Sequence, residues 1–406
     1  MTSQTRDWRS WGIRYREAKG HAAITATILW ATLLVAFVIP GDRFVTGDLK
    51  GADFVYFYTL GTVAFDGDYP RAADDEYLYA RQLQLVPASS GDHHISVYPP
   101  TAALFFRPLA ALPYRLAVVL WAMLTLAGYA ASIFLIWRRF RRLLPDGRFT
   151  AVAAAAFPPL WYLVLYGQTT VIPLLALTLA WLAFDGHRPI AAGVAVGLLA
   201  MKPQFGLVFA VVLLAAGNWR VVFGVMLSVA SQLGLVVMTM GSQALVRYAE
   251  TLQQLRSVQE QLEPSPYRMH SLRVLTDQLP GGVATVMWLA MVALIVVVAL
   301  MVWRSNAPLS LRFSSMVIGT VLVSPHLFVY DAAVLVIPLL LTGAWVESQR
   351  PPWRFAFWQA VYATFILFLF PTARVIRVQG SVLVMLWMFF QVQRAARRPI
   401  RTELGV

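Results

Sequence analysis

The chain has 406 residues, a formal charge of +13 and a mean hydropathy of +0.63, with 59% hydrophobic and only 13% charged residues. A soluble domain carries roughly twice that charged fraction, so a soluble globular reading is excluded. With no cysteine, disulfide, haem-thiolate and zinc-thiolate chemistry are excluded as well. The positive charge does not call for nucleic acid, because the basic residues cluster at the ends of apolar stretches, where topology and anionic lipid head groups account for them.

In chain order, the first apolar stretch, "AAITATILWATLLVAFVIP" at 22–40, is too long for a signal-peptide core and lacks a small-residue cleavage site, so it is expected to stay as a membrane helix. Residues 41–113 follow as a long loop that contains "GADFVYFY" at 51–58. Its later part, "YPPTAALFFRPLAALPYR", is apolar for only about 14 residues between prolines, a length suited to lying along an interface rather than crossing. Further crossings are expected at 114–137, 149–165, 168–184, 190–200 with 203–216, 220–240, 282–303, 311–324, 327–346, 354–371 and 379–394, and a second long loop at 241–281.

Basic clusters lie before residue 22, at 137–148, at 347–354 and in the C-terminal tail. All four share one side if about 12 segments cross, which puts both termini in the cytoplasm and both long loops outside. No repeat of solenoid length and no low-complexity linker divides the chain. The expectation is one domain, 1–406: an all-α polytopic integral membrane protein of about 12 transmembrane helices with interfacial helices in its first extracytoplasmic loop. The cell membrane, most simply a bacterial inner membrane, is the expected location.

Ionisable groups within or beside apolar helices each cost about 2.5–3.5 kcal/mol at the bilayer centre, so they need a reason to be there. Asp53 immediately follows the first crossing. Gln168 in "LYGQTT" sits at a turn between two crossings, Lys202 in "GLLAMKPQFG" at a break before Pro203, and His326 and Asp331 in "SPHLFVYDAAVLV". The 11 or so residues before Lys202 rise only about 16 Å as a helix, about half a bilayer. Pro203 suits the first turn of a new helix, whose N-terminus attracts anions. Lys202 therefore reads either as part of an anion site or as a snorkelling lysine at an outer turn. Asp331 is expected to pair with His326 or with a basic group on a neighbouring helix.

With Arg107, these groups can converge at the outer leaflet, where the basic ones would hold an anion and a carboxylate would act as base. Outside the cell there are no nucleotide sugars, so the simplest activated substrate is a lipid phosphate carrying a sugar. Tyr56, Tyr58 and Tyr98 can stack on sugar rings or anchor the interface. The acids of "FDGDYPRAADDEYLYAR" and the paired histidines of "GDHHISVYPP" read better as turn and loop residues than as metal ligands, so no metal is expected.

"GADFVYFYTLG", "YPPTAALFFRPLAALP", "GQTTVIPLLALTLAW", "AAGVAVGLLAMKPQFGLVFAVVLL" and "SPHLFVYDAAVL" together resemble, in this order and over about residues 50 to 340, glycosyltransferase family 87, the polyprenol-phosphate-mannose-dependent α-mannosyltransferases of the GT-C class. The resemblance implies a GT-C-type bundle, no cofactor beyond the lipid-linked sugar donor (polyprenyl-phosphate-mannose), and a lipid or glycan acceptor outside the membrane. It puts Asp53 at the position of the family's general base, His326 at its late histidine near the donor phosphate, and Lys202-Pro203 at its Lys-Pro pair. Arg107 joins the expected phosphate contacts, and Tyr56, Tyr98, Gln168 and Asp331 the expected substrate contacts. The rival from another class is a multi-pass transporter or flippase for a lipid-linked or anionic substrate. The absence of an inverted repeat of broken helices speaks against it.

Overall fold

The structure is a computed structural model that describes residues 15–45, 47–262, 268–349, 353–369, 372, 375 and 378–397. The described residues form helices joined by turns, with one isolated antiparallel bridge between Arg43 and Leu49. α1 is Tyr15–Val38. The first long loop holds α2 (Phe54–Phe65), α3 (Asp75–Leu85) and α4 (Pro100–Phe106), with a 3-10 segment at Arg107–Ala111. Then come α5 (Tyr114–Phe140), α6 (Gly147–Ala155), α7 (Pro158–Tyr166), α8 (Val171–Asp185) and α9 (Pro189–Gly197). α9 continues as 3-10 turns over Leu198–Met201 before α10 (Pro203–Ala215) and α11 (Trp219–Met240). The second long loop contains α12 (Gln243–Leu262) and α13 (Arg273–Thr276). The rest is α14 (Gly281–Trp303), α15 (Leu309–Val323), a 3-10 segment Val329–Leu335 running into α16 (Val336–Glu347), α17 (Trp353–Leu369) and α18 (Gly380–Ala396).

Proline starts many of these helices for a plain reason: its missing N–H would be unbonded in the first turn anyway. Pro100, Pro158, Pro189 and Pro203 all stand there. Pro158 also breaks the expected single crossing at 149–165 into α6 and α7, bent by 51°. Among the described residues, five helices are long and apolar enough to cross a bilayer, and the bent pair makes a sixth. The other apolar helices have 10–17 residues, so the expected count of about 12 requires short, partly buried helices to cross as well. The chain is a multi-pass membrane protein. α1 and α14 keep most of their apolar surface outside the bundle, as helices facing lipid do.

Two contacts fix the bundle around the site. α9 and α11 cross with Gly193 and Gly197 facing Gly224 and Ser228, a small-residue pattern spaced by four on both helices. A Cβ on Gly193 would lie 2.0 Å from the Val221 carbonyl oxygen, and one on Gly224 would lie 2.2 Å from that of Ile190. The segment expected along the interface consists of two short pieces packed on α2. Ala102, Ala103 and Phe106 are buried there, and Gly61 leaves room for the Phe106 carbonyl.

α5 joins the two ends of the molecule. The Tyr114 hydroxyl donates to the Lys50 carbonyl at 3.0 Å, near Asp53, and Arg139, in the last turn, pairs with Asp185. Twenty-five residues of helix put these ends about 38 Å apart. Lys19–Asp146 and the Trp303 Nε1 bond to Asn218 (2.7 Å) join other pairs of elements at helix ends.

Candidate active site

Asp53 stands at the position that caps α2, yet its side chain makes no capping bond; the bland explanation for an aspartate there does not describe this one. Its backbone is pinned instead. Gly51 and Gly167 both take positive φ (69° and 67°), and a Cβ on Gly167 would come within 2.6 Å of the Phe54 Cβ. This close approach of two turns lets the Asp53 amide donate to the Tyr166 carbonyl at 3.0 Å. Trp121 Nε1 holds the Gly167 carbonyl from the other side at 2.9 Å.

The carboxylate is held through one oxygen. Gln168 Nε2 donates to Asp53 Oδ2 at 2.8 Å, while Gln168 Oε1 accepts from Lys202 Nζ at 3.2 Å. A carboxylate only accepts and an ammonium only donates, so the two partners dictate which way this amide points. Lys202 Nζ also donates to Thr170 Oγ1 (3.1 Å) and to Asp331 Oδ1 (2.8 Å), and the Thr170 hydroxyl donates to the same Asp331 oxygen. Lys202 and Asp331 are both 2% exposed, and Gln168 is 6% exposed. A buried charge pair thus anchors an amide, and the amide anchors Asp53. Asp53 Oδ1 has no hydrogen-bond donor among the described residues, and the carboxylate side chain keeps 22% of its surface open. His94 Nε2 stands 3.8 Å from that oxygen, too long for a hydrogen bond.

The expected site residues divide accordingly. Asp53, Gln168, Lys202 and Asp331 come together. Two of the expected roles do not fit this arrangement. All three Lys202 donors are engaged, which leaves none for a phosphate, and Asp331 is committed to Lys202 and Thr170 rather than to substrate. Tyr98 joins the network through its hydroxyl, 3.4 Å from Gln168 Oε1. Burial raises this phenol above its usual range, so it stays a neutral donor. Its ring meets Phe57 edge-on at 4.7 Å.

Tyr56 is 3% exposed beneath His94, and the Tyr58 hydroxyl donates to the Leu112 carbonyl at 2.7 Å. Neither presents a face to a sugar, because almost the whole of α2 is buried. Arg107 lies over the Phe65 ring, at the far end of α2 from Asp53 and about 18 Å along the helix, so the fold does not bring it to the site. His326 is half-buried on the turn after α15, its ring 4.6 Å from Phe328, and a series of rings through Phe328 and Tyr330 leads from it to Tyr166.

Residues 97–325, more than half of the chain, match glycosyltransferase family 87. The chain belongs to this family. No curated protein and no solved structure matches it. As a family 87 member it is a membrane glycosyltransferase, a class that acts on lipids and glycans. The match takes in Tyr98, Arg107, Gln168 and Lys202, stops one residue before His326, and leaves Asp53 and Asp331 outside.

Three further residues lie around Asp53 and the groups that hold it. His94 faces Asp53, Thr170 completes the shell of the buried pair, and Arg268 in the second long loop is close enough for its charge to act on the Tyr166 hydroxyl, as that of Asp53 does. The acids that invite a metal in the sequence have other partners. Asp66 pairs with Arg81, Asp68 accepts from the Tyr77 hydroxyl, Asp74 caps α3 and Asp75 accepts from the Ser96 amide. No three His, Asp or Glu side chains converge among the described residues.

Proposed function

We propose that the enzyme transfers a hexose, mannose by family resemblance, from a polyprenyl-phosphate sugar to a hydroxyl of a lipid or glycan on the extracytoplasmic face. One observation carries the reading: a partly open carboxylate that caps nothing, anchored through Oδ2 on a buried charge pair and left free at Oδ1. In the reaction, Asp53 Oδ1 takes the proton of the acceptor hydroxyl. The acceptor oxygen bonds to the anomeric carbon as the bond from that carbon to the phosphate oxygen breaks, and the bonding pair leaves with the polyprenyl phosphate. Attack opposite the leaving group inverts the configuration, so a β-linked donor gives an α-glycoside.

Lys202 acts here as a positioning residue for Gln168 and, through it, for Asp53. The leaving phosphate is met instead by His326 and Arg268, on the turn after α15 and on the second long loop, where their N–H donors stabilise the charge that develops. The distribution of the basic clusters supports an outer position for the Asp53 end.

The test is transfer by the purified protein in lipid nanodiscs, offered either a polyprenyl-phosphate sugar or the corresponding nucleotide sugar. Transfer only from the lipid-linked donor, with an inverted product and lost in Asp53→Asn, is the expected result. Transfer from the nucleotide sugar would overturn the donor assignment. Substrate flux across sealed vesicles that survives Asp53→Asn would favour a transporter.

A further inference from the structure

At the end of the molecule opposite Asp53, a cleft of about 710 Å³ opens between the turns α8–α9, α10–α11 and α14–α15. Arg188, Arg220, Arg304 and Arg312 line it, together with His187 and a single acid, Asp185, which is already paired with Arg139. α9, α11 and α15 all begin here, and no side chain caps their first turns. Asn218, which stands at the capping position of α11, turns its carbonyl to Trp303 Nε1 instead. The helices that end here are closed. Backbone amides return to the last turns of α8, α10 and α14, and the Arg304 guanidinium donates to the Ala215 carbonyl. The cleft therefore gathers uncapped amide ends and guanidinium groups while its carbonyl ends are satisfied, a combination that favours an anion.

Two of the four arginines have structural work: Arg304 on Ala215, and Arg312 on the Trp303 carbonyl and ring. Arg188 and Arg220 have no side-chain partner among the described residues and are exposed. Beside them the outer faces of α9 and α11 are apolar and open, with Ile190 45%, Trp219 67% and Phe223 59% exposed. Trp219 and Phe223 are one helical turn apart, so an apolar strip runs away from the cleft along α11.

We propose that this cleft is a binding site for the phosphodiester head group of an anionic phospholipid, whose acyl chain lies along the Trp219–Phe223 strip. The site lies at the end assigned to the cytoplasm and does not take part in the transfer chemistry. Guanidinium pairs suit it, because their planar fork matches phosphate oxygens two at a time.

Native mass spectrometry of the full-length protein, delipidated in detergent and then titrated with phosphatidylglycerol, tests this. One phosphatidylglycerol is expected to be retained. Its affinity should fall about thirtyfold in an Arg188→Ala/Arg220→Ala double variant, the effect of two juxtamembrane cations. Arg247→Ala, which removes one positive charge on α12, should leave it unchanged. Equal retention by wild type and the double variant, or equal retention of zwitterionic phosphatidylcholine, overturns the proposal. So does displacement of the lipid by free glycerol phosphate at comparable concentration, which would assign the cleft to a small soluble anion. A phospholipid with a photoreactive head group gives a readout on the unaltered chain. Adducts are expected within residues 186–190 and 218–223, and adducts confined to other segments would exclude the site.

Discussion

Lys202 and Asp331 meet at the Asp53 end with 1% and 3% of their side-chain surface exposed, whereas Lys19 and Asp146 meet elsewhere with 44% and 32% exposed. The chemistry of the two pairs is the same, but their surroundings are not. The buried pair is excluded from water and salt, so its geometry is set by Thr170 and Gln168 and passes without slack to Asp53. The exposed pair is screened by water and salt and contributes little. In this protein the depth of a charge, more than its presence, separates a pair that fixes its neighbours from one that does not.

The sharpest way to break the comparison is to change only the proton-accepting ability of the group that the buried pair holds. Asp53→Asn keeps size and shape, and Asn is itself a good helix cap. Transfer from a polyprenyl-phosphate sugar should fall by about 10²–10⁴ while the thermal stability of the purified protein barely moves. A stable variant with normal transfer would remove Asp53 from the mechanism.

Next in size is Lys202→Met, which leaves Asp331 charged and alone in the bundle. The loss expected for such an uncompensated buried charge is about 3–5 kcal/mol, read as a lower midpoint in thermal or denaturant unfolding. A Lys202→Met/Asp331→Leu double variant separates structure from function. Stability should return to near the wild-type level, because buried pairs are replaceable by apolar groups, while transfer stays slow because Gln168 has lost its anchor. Full activity in the double variant would mean that the pair only holds the fold together.

Gly224→Ala tests the scaffold on which Lys202 hangs. The added carbon meets the Ile190 carbonyl oxygen, and the overpacking should cost about 1–3 kcal/mol. The smallest effect is expected at the other end. Arg139→Ala removes a pair to Asp185 that is half open to solvent, and stability should change by no more than about 1 kcal/mol in a melting curve. A loss as large as that of Lys202→Met would erase the distinction between the two ends.

Much of this was legible in the sequence where contrast was high. A lysine or an aspartate inside an apolar run stands out because its insertion is costly, and Lys202 and Asp331 were visible for that reason, whereas Gln168, a glutamine at a turn, gave only a weak signal. The helix break at Lys202-Pro203 was equally plain, since proline cannot continue the preceding turn. What the sequence left open was pairing. Asp331 had two candidate partners, and the one it takes lies 129 residues away on another helix. The tyrosines of α2 were misplaced because an aromatic residue in a loop looks the same whether it faces a sugar or a core. His94 and Arg268 lie in polar loops, where one more polar residue gives no contrast. Only the folded chain sets His94 against the Tyr56 ring and brings the Arg268 charge within reach of Tyr166. Arg107 failed for the opposite reason: its contrast was real, but the length of α2 carries it away from Asp53.

The crossing of α9 with α11 has a consequence for how this chain is made. Insertion into a bilayer sorts segments by hydropathy, and by that measure an alanine in place of Gly193 is no obstacle. Assembly of the inserted helices sorts by shape, and there the same substitution puts a carbon 2.0 Å from a backbone oxygen. The two stages of biogenesis thus read different properties of a single residue. A chain altered at this contact would reach the membrane with every helix threaded correctly and then fail to close, leaving the arm that carries Lys202 without the backbone it leans on.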